Sequence, residues 1–403
     1  MIPVAGSITA PKGFAATGVA CGLKKDNRLD LALVVSEVPA VATGVFTRNV
    51  VKGHSLQRTM DMIKSGLASA VIINSGNANA CVGEAGYRDA ETMADLTAAE
   101  LGCPVEQVLT GSTGVIGKRL DLAAIHRGVQ EACASLASSE EAGHRAEQAI
   151  MTTDLVPKEC VVSFELEGKT ITVAGMAKGS GMIHPNMATM IGVLTTDCAV
   201  AHDVLSSLLK TSVNQTFNRV SVDGDTSVCD MVIALANGKA GNTAVRAVDS
   251  AAAQQLQRAF TIISTQLSRL IAQDGEGATK LVEIQCQGAR SADDAYKIVQ
   301  AVGKSPLVKT AIFGEDANWG RILTAAGYSG AEFDPETCDI FLGDLKVCEN
   351  GTALLFDEAA AKVILQQKEV LIRILLREGT AFDRLWTCDF SYDYVRINGS
   401  YRT

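Results

Sequence analysis

Two alternating segments joined by one tight turn constrain the fold of this chain most strongly. The stretch CVVSFELEGKTITVAGMA (160–177) alternates apolar and polar residues on both sides of Glu167-Gly168-Lys169. Alternation with a period of two indicates half-buried strands, and a glycine-containing break between two such runs indicates an antiparallel hairpin. A hairpin inside the sheet favours an α+β fold over a wheel of parallel βαβ units.

The remaining segments are grouped by type, which supports the same fold class. The pattern changes near 277–285 and then repeats on a smaller scale, so we expect a main domain over 1–280 and a smaller one over 281–403. Strands are predicted at 29–37, 42–48, 68–76 and 191–197, and helices at 87–101, 120–136, 140–151, 202–217 and 247–273.

Composition excludes several classes of protein. The 403 residues are 47% hydrophobic and 20% charged, and the net charge is -9 with the basic residues scattered. Nothing here forms the basic patch that nucleic acid or an anionic membrane requires, and no apolar run reaches the length of a membrane span. The eleven cysteines contain no C-x-x-C pair, and the N-terminus lacks the basic start of a signal peptide. We therefore expect buried thiols and a cytoplasmic protein.

Two segments look like ligand-binding motifs but lack residues that these motifs require. The segment LTGSTGVIGKRL (109–120) has Ser112 and Arg119 where a phosphate-binding P-loop needs Gly and Ser or Thr. In SVDGDTSVCD (221–230) the aspartates lack the glycine and glutamate of a calcium loop, so a turn with solvated or backbone-bonded aspartates is predicted. The five histidines form no H-x-x-x-H pair and no G-x-S-x-G elbow exists, so no metal site is predicted.

Within the failed P-loop, Thr113 and Gly114 keep a possible role. A turn at this point can present backbone N–H groups and a hydroxyl to an anion. The alternative is a plain turn without function. The residues alone do not decide between an anion-binding turn and a plain turn.

The segment KGSGMIHPNMATMIG (178–192) makes an irregular approach to Thr189. A threonine hydroxyl is a weak nucleophile unless a base lies beside it. If the chain is cut before Thr189, the freed α-amine can be that base, since its reference pKa is about 7.7–8.0. The small Ala188 leaves room for Oγ1 to attack its carbonyl, although a buried strand threonine is the simpler alternative.

Two further residues are candidates from their surroundings. Glu276 lies between two glycines in DGEGATK (274–280), which permits close approach of a ligand or a tight bend. The C-terminal SYDYVRINGSYRT is rich in aromatic residues and is expected to dock on the body of the protein. Docking would place Asn398 and the last residues in a pocket.

Several segments together closely resemble the ornithine acetyltransferase family, also called glutamate N-acetyltransferase, of arginine biosynthesis. The resemblance covers essentially the whole chain in family order, and the ATM motif with STGVIG is highly specific. The matching segments are VFTRN (45–49), NSGNANAC (74–81), STGVIG (112–117), MTTDLVPK (151–158), KGSGMIHPNMATM (178–190), NRVSVDGDTS (218–227) and GEDANWGRI (314–322).

The resemblance implies an N-terminal-nucleophile-like αββα sandwich with a smaller second α/β domain whose tail returns to the active site. It also implies self-cleavage between Ala188 and Thr189 into an α chain (1–188) and a β chain (189–403), usually assembled as an α2β2 heterotetramer. The implied reaction moves acetyl from N2-acetyl-L-ornithine to L-glutamate through acetyl-threonine. No metal or bound cofactor is implied, and the sequence leaves open whether acetyl-CoA also serves as donor, as in bifunctional members with amino-acid N-acetyltransferase activity.

The resemblance also assigns site residues. Thr189 matches the nucleophile, and Thr113 with Gly114 matches the oxyanion hole. Lys178 is the natural partner for a substrate carboxylate and Glu276 for the cationic end of ornithine. The substrate contacts of the family fall on Thr152, Lys178, Thr189, Glu276, Asn398 and Thr403.

Two rival functions remain from the sequence. One is a self-processing aminopeptidase or amidase of similar fold, in which water takes the place of glutamate. The other is an uncut, non-catalytic amino-acid-binding protein in which Thr189 is a buried strand residue.

Denaturing gel electrophoresis of freshly purified protein tests the cleavage expectation. Residues 1–188 and 189–403 of a 42.3 kDa chain correspond to bands of about 20 and 23 kDa. A single band at full length, from protein without acetyl transfer, would instead support the binding-protein reading.

Overall fold

The computed structural model describes Met1, residues 3–184 and residues 190–400. The described chain forms two compact units, of which the first comprises 1–218 and 226–268 and the second comprises 219–225 and 269–400. The change from one unit to the other at 268/269 falls inside a long helix, Ala251–Gln273. The domain division at 280/281 stays a prediction from the sequence.

The secondary structure mixes hairpins, crossovers and helices. The strands are β1 (Pro3–Val4), β2 (Phe14–Val19), β3 (Leu31–Phe46), β4 (Leu67–Asn77), β5 (Val108–Val115), β6 (Glu159–Leu166), β7 (Lys169–Lys178), β8 (Ile191–Thr196), β9 (Val220–Ser221), β10 (Met231–Ala236), β11 (Leu281–Ala289), β12 (Asp339–Leu342), β13 (Leu345–Glu349), β14 (Thr352–Ala353), β15 (Glu369–Leu375) and β16 (Ala381–Cys388). The helices are α1 (His54–Met62), α2 (Glu84–Leu101), α3 (Leu122–Ala134), α4 (Glu140–Ile150), α5 (His202–Gln215), α6 (Ala251–Gln273), α7 (Ala292–Lys304), α8 (Pro306–Phe313), α9 (Trp319–Gly327), α10 (Glu358–Leu365) and α11 (Tyr392–Ser400).

The predicted hairpin is confirmed as β6 and β7, which pair antiparallel from Glu159↔Met176 to Leu166↔Lys169. Its turn has φ of 52° at Glu167 and 73° at Gly168. Positive φ at both central residues matches the right-handed twist of the flanking strands, which is why a Gly-containing pair occurs here.

The first unit is built on one nine-stranded sheet in the order β1-β6-β7-β8-β10-β3-β4-β5, with β2 added to β3. The pairs β8/β10 and β4/β5 are parallel, and the other neighbours are antiparallel. Strands β8 and β10 therefore lie between β7 on one side and β3 on the other.

Strand β3 differs from the sequence prediction, which divided it into two strands at 29–37 and 42–48. It is one strand of 16 residues, with a register shift against β4 between Val35 and Ala40. Pro39, which has no N–H to donate, falls within this irregular stretch. The part up to Ser36 pairs with β2, whereas residues 41–46 pair with β10. The division was wrong because a bulged strand with a proline looks like two strands in sequence.

Two layers of strands enclose the main core of this unit. Val71 and Ile73 of β4 share a buried cluster with Ile191 and Val193 of β8. The alternate residues of β4 face the other way and pack with helices α2 and α3. On the far side, Gly175 of β7 lies against Ile263 and Leu267 of α6. The predicted αββα layering within an α+β fold is confirmed.

The second unit contains a mixed seven-stranded sheet in the order β14-β13-β12-β15-β11-β16-β9. Helix α7 packs on this sheet through Ile298 and Val302, which lie in one buried cluster with Ile284 of β11 and Leu385 of β16. The close packing requires Gly303, where a Cβ atom would clash with the Leu385 side chain.

Two expectations from composition are tested directly. None of the described helices is long and apolar enough to cross a membrane. All eleven cysteines are free, and the expectation of buried thiols holds for eight of them; Cys103 and Cys133 are half-buried, and Cys81 is exposed.

Candidate active site

The ends of three adjacent strands meet at one edge of the first unit's sheet. Lys178, the last residue of β7, pairs with Ile191, the first residue of β8, which in turn pairs with Met231 of β10. The backbone N–H of Met231 donates to the carbonyl of Met190 at 2.9 Å. Residues that immediately precede β8 and β10 are therefore brought side by side.

A narrow pocket opens at this edge. Thr113 and Lys178 both line it, together with Met190, Cys229 and Asp230. Each of the two predicted site residues is buried, with 8% of its surface exposed. The fold thus joins two residues that are 65 positions apart in the chain.

Thr113 and Gly114 lie at the end of strand β5, not in the turn that the sequence suggested. They pair with Ser75 and Gly76 of β4, and the register becomes irregular at Asn77. Gly114 has φ of 124°, and a Cβ atom there would lie 2.5 Å from the Gly76 carbonyl carbon and 2.7 Å from the Asn77 nitrogen. Only glycine permits this contact between backbones.

A buried carboxylate connects Thr152 to the Lys178 segment. Asp154 accepts hydrogen bonds from the backbone N–H of Thr152 at 2.8 Å and of Gly179 at 2.6 Å. It also accepts from Lys158 Nζ at 2.8 Å, and the side chains of this ion pair are wholly buried. In the sequence, MTTDLVPK (151–158) stands out only as a family segment, and no local pattern marks Asp154 as a site residue.

Asp154 remains charged despite its burial. Burial raises the pKa of this carboxyl, but the positive charges of Lys178 and Lys158 and the hydrogen bonds together hold the pKa well below its ordinary value. Asp154 therefore supplies negative charge beside Lys178 throughout the neutral pH range.

Thr152 lies on a cavity of about 500 Å³, which also has Lys24, Arg28 and Asp154 in its walls. Lys24 Nζ donates to the carbonyls of Met151 and Leu29, at 2.6 and 2.8 Å. Burial, and then the positive charge of Arg28, lower the pKa of Lys24 to about 8. A cavity with two basic residues at Thr152 is suited to a ligand that carries a carboxylate.

In the second unit, the predicted residues Glu276 and Asn398 are in direct contact. Asn398 Nδ2, on helix α11, donates to Glu276 Oε2 at 2.9 Å, and Glu276 is only 6% exposed. Gly277 explains why the C-terminal helix can approach so closely: it has φ of 71°, and a Cβ atom there would clash with the backbone at Asp393 and Tyr394. The described part of the C-terminal segment therefore docks on the second unit, as predicted.

Three predicted site residues, Ala188, Thr189 and Thr403, lie outside the described residues. Among the residues that the structure does describe, no group of three or more His, Cys, Asp or Glu side chains is arranged to hold a metal ion.

The αββα layering and the buried pocket at the start of β8 place the first unit among proteins with an N-terminal-nucleophile-like fold. The whole-chain comparison is more specific, since the model of the ArgJ family matches residues 15–403. The chain belongs to the ArgJ family.

Relatives match over nearly the full length. The chain is 49% identical over 402 residues to the arginine biosynthesis bifunctional protein ArgJ of Caldanaerobacter subterraneus subsp. tengcongensis, covering 99% of both chains. A crystal structure of arginine biosynthesis bifunctional protein argJ from Bacillus halodurans is 40% identical, with a TM-score of 0.50, covering 51% of this chain and 97% of that one. The structure of ornithine acetyltransferase complexed with ornithine from Mycobacterium tuberculosis is 42% identical, with a TM-score of 0.43, covering 45% and 96%.

A second buried carboxyl, Glu147, lies behind this network on helix α4. Its side chain is fully buried, and Oε1 accepts from the backbone N–H of Lys158 at 2.9 Å. Burial raises the pKa of Glu147 to about 8, although the hydrogen bond opposes the rise. The folded protein therefore keeps this carboxyl protonated at neutral pH.

Glu147 should make stability fall as the pH rises. The unfolded chain releases this proton near pH 4.5 and the folded chain near pH 8, so its stabilising contribution is lost between these values. The slope should be at most about 1.4 kcal/mol of unfolding free energy per pH unit. Urea unfolding at several pH values should show that Glu147→Gln removes this slope. Glu141→Gln, an exposed change on the same helix, should leave it in place; an unchanged slope in Glu147→Gln would contradict the assignment.

Proposed function

We propose that this chain is a self-cleaving acetyltransferase of arginine biosynthesis. It moves the acetyl group of N2-acetyl-L-ornithine to L-glutamate through an acetyl ester on Thr189, giving L-ornithine and N-acetyl-L-glutamate. The observation that carries this proposal is the pocket shared by Thr113, Lys178 and Met190, because Met190 directly follows Thr189 in the chain. Family membership over nearly the whole length supports it.

Each step has a residue of suitable chemistry. After the cut, the α-amine of Thr189 accepts the proton of Oγ1 as that oxygen attacks the acetyl carbonyl. Thr113 and Gly114 stabilise the negative charge that develops on the carbonyl oxygen. Ornithine leaves, and the amine of glutamate attacks the ester and regenerates the threonine hydroxyl.

The substrate contacts follow the charges of the substrates. Lys178 binds a carboxylate common to both amino acids, and Thr152 contributes a hydroxyl at the edge of the basic cavity. Glu276, whose orientation is fixed by Asn398, binds the cationic end of ornithine, and Thr403 adds a hydrogen bond. These roles combine the charges of the side chains with the family resemblance.

Relatives of half length support the cut. The matched part of this chain is 51% of its length but covers 97% of the Bacillus halodurans chain, so that chain is about half as long as this one. Two such chains per precursor are expected from cleavage at 188/189. We propose an α2β2 heterotetramer, assembled in the cytoplasm.

The relatives are named bifunctional, which favours acetyl-CoA as a second acetyl donor to glutamate. The proposed mechanism uses no metal and no bound cofactor, since the threonine, its amine and the oxyanion donors complete every step.

Replacing the nucleophile tests the mechanism directly. Thr189→Ala should leave the chain uncut and abolish acetyl transfer, whereas Thr189→Ser should retain part of both because the hydroxyl survives. Gel electrophoresis and an assay of ornithine release with and without glutamate measure the two effects. Transfer by the alanine variant would disprove the acyl-threonine, and rapid release of acetate without glutamate would favour the amidase alternative.

Loss of the oxyanion donor should affect turnover much more than substrate affinity. Thr113→Ala should lower kcat by roughly 10²–10³-fold with little change in KM, because the donor acts on charge that exists only in the transition state. Thr113→Ser, which keeps the hydroxyl, should recover most of the loss. Equal kcat in the wild type and Thr113→Ala would remove Thr113 from the mechanism.

A further inference from the structure

The proposed mechanism names no proton-exchanging group for the cut between Ala188 and Thr189. The α-amine that serves as base exists only after the chain has been cut. During the cut itself, Oγ1 of Thr189 must lose a proton while the amide nitrogen of Thr189 must gain one, or the bond to Ala188 cannot break. A side chain that exchanges a proton at this point would assist both transfers.

Asp230 shares a pocket with Met190, the residue that follows Thr189 in the chain. It lines the same pocket as Thr113 and Lys178, and it is 2% exposed. It also directly precedes Met231, whose N–H donates to the carbonyl of Met190 at 2.9 Å. The parallel pairing of β8 and β10 thus brings the residue before β10 next to the segment that follows the cut.

The surroundings shift the pKa values of the two aspartates near Lys178 in opposite directions. Burial raises the pKa of Asp230 well above its ordinary value, and a hydrogen bond with Ser227 and the charge of Lys178 only partly oppose the rise. Asp154 is instead held charged, as described above. Two carboxyl groups whose surroundings drive their pKa values apart are typical of an acid and a charge-stabilising group within one site.

The hydrogen bonding of Asp230 leaves it able to donate. Its Oδ2 atom is buried and has no hydrogen-bond partner among the described residues. A buried polar atom without a partner is costly, so a protein normally provides one. A carboxylic acid with one unpaired oxygen can donate its proton to an acceptor that is present only during the reaction.

The other titratable groups of the pocket are less suitable. Burial raises the pKa of the Cys229 thiol, and its Sγ already donates to the carbonyl of Ala78 at 3.4 Å. Lys178 is paired electrostatically with Asp154. Asp230 is therefore the acid that the pocket offers.

We propose that Asp230 is the proton donor of self-cleavage, protonating the nitrogen of Thr189 as its bond to the Ala188 carbonyl breaks. The ester between that carbonyl and Oγ1 forms in the same step, and the proton from Oγ1 restores the carboxylic acid, so no net proton is consumed. Water then hydrolyses the ester to the Ala188 carboxylate and a free Thr189 amine. This role rests on the proposed function, since it requires the cut at 188/189.

Asp230→Asn tests the role without changing shape, because the amide has the same shape as the carboxylic acid that the proposal requires. Precursor made by cell-free synthesis should be cut at least about 100-fold more slowly than wild type, as expected for loss of a general acid. The matched control is Asp197→Asn, which changes a buried aspartate just beyond the other end of β8 that accepts from Thr172 and Lys12. This control should be cut at the wild-type rate.

Hydroxylamine locates the blocked step. It cleaves an ester but not an amide, so it should not release fragments from Asp230→Asn if the ester never forms. Release of both fragments would overturn the proposal, since the ester would then form without Asp230. An Asp230→Asn chain that fails to fold, by circular dichroism, would also count against it, because a neutral isostere should be tolerated.

A small acid should replace the missing side chain. Asp230→Ala should be uncut, and added formate should restore cutting in proportion to its concentration, which a merely structural role would not produce. Absence of rescue in a folded variant would contradict a proton-donor role. A wild-type precursor that is never cut would disprove the proposed function itself, whereas equal cutting of wild type and Asp230→Asn would disprove only this inference.

Discussion

The candidate site depends on one buried carboxylate. Asp154 receives hydrogen bonds from Thr152, Lys158 and Gly179, and so holds the loop before β6 against the end of β7. A buried ion pair adds little net stability, but removing one partner leaves the other charge without compensation. The Asp154–Lys158 pair therefore fixes geometry more than it adds stability, and what it fixes is the position of Lys178.

The fold gives the buried carboxyl groups in this region different pKa values. Asp154 is charged beside two lysines, and Glu147 is kept neutral because burial raises its pKa to about 8. Burial also raises the pKa of Asp230 well above its ordinary value. These environments arise because the packed core of the first unit excludes water around the three carboxyl groups. The packing of the core thus sets the burial of each carboxyl group, and burial determines which groups can exchange protons at neutral pH.

Local patterns in the sequence predicted many of the helices and strands, but they could not predict which distant strands pair with each other. The β6/β7 hairpin was readable because its turn and alternation are both local, and Glu276 stood out because of its glycines. Asp230 was treated as part of an ordinary aspartate turn, since its importance comes from the β8/β10 pairing between distant segments. The continuity of β3 was missed because a bulge with Pro39 has the local pattern of a loop. Long-range pairing, not local propensity, built the site.

The strand order has a consequence for the two chains that a cut at 188/189 would produce. Strands β8 and β10 come from the second chain, yet they lie between β7 and β3 of the first. Six-residue ladders join them on each side. Separating the chains would open both ladders at once and expose four unpaired strand edges, which readily aggregate. Once the strands are paired, the two ladders join the halves without the peptide bond. Maturation of this kind is a one-way assembly, and halves synthesised apart would each begin with an incomplete sheet.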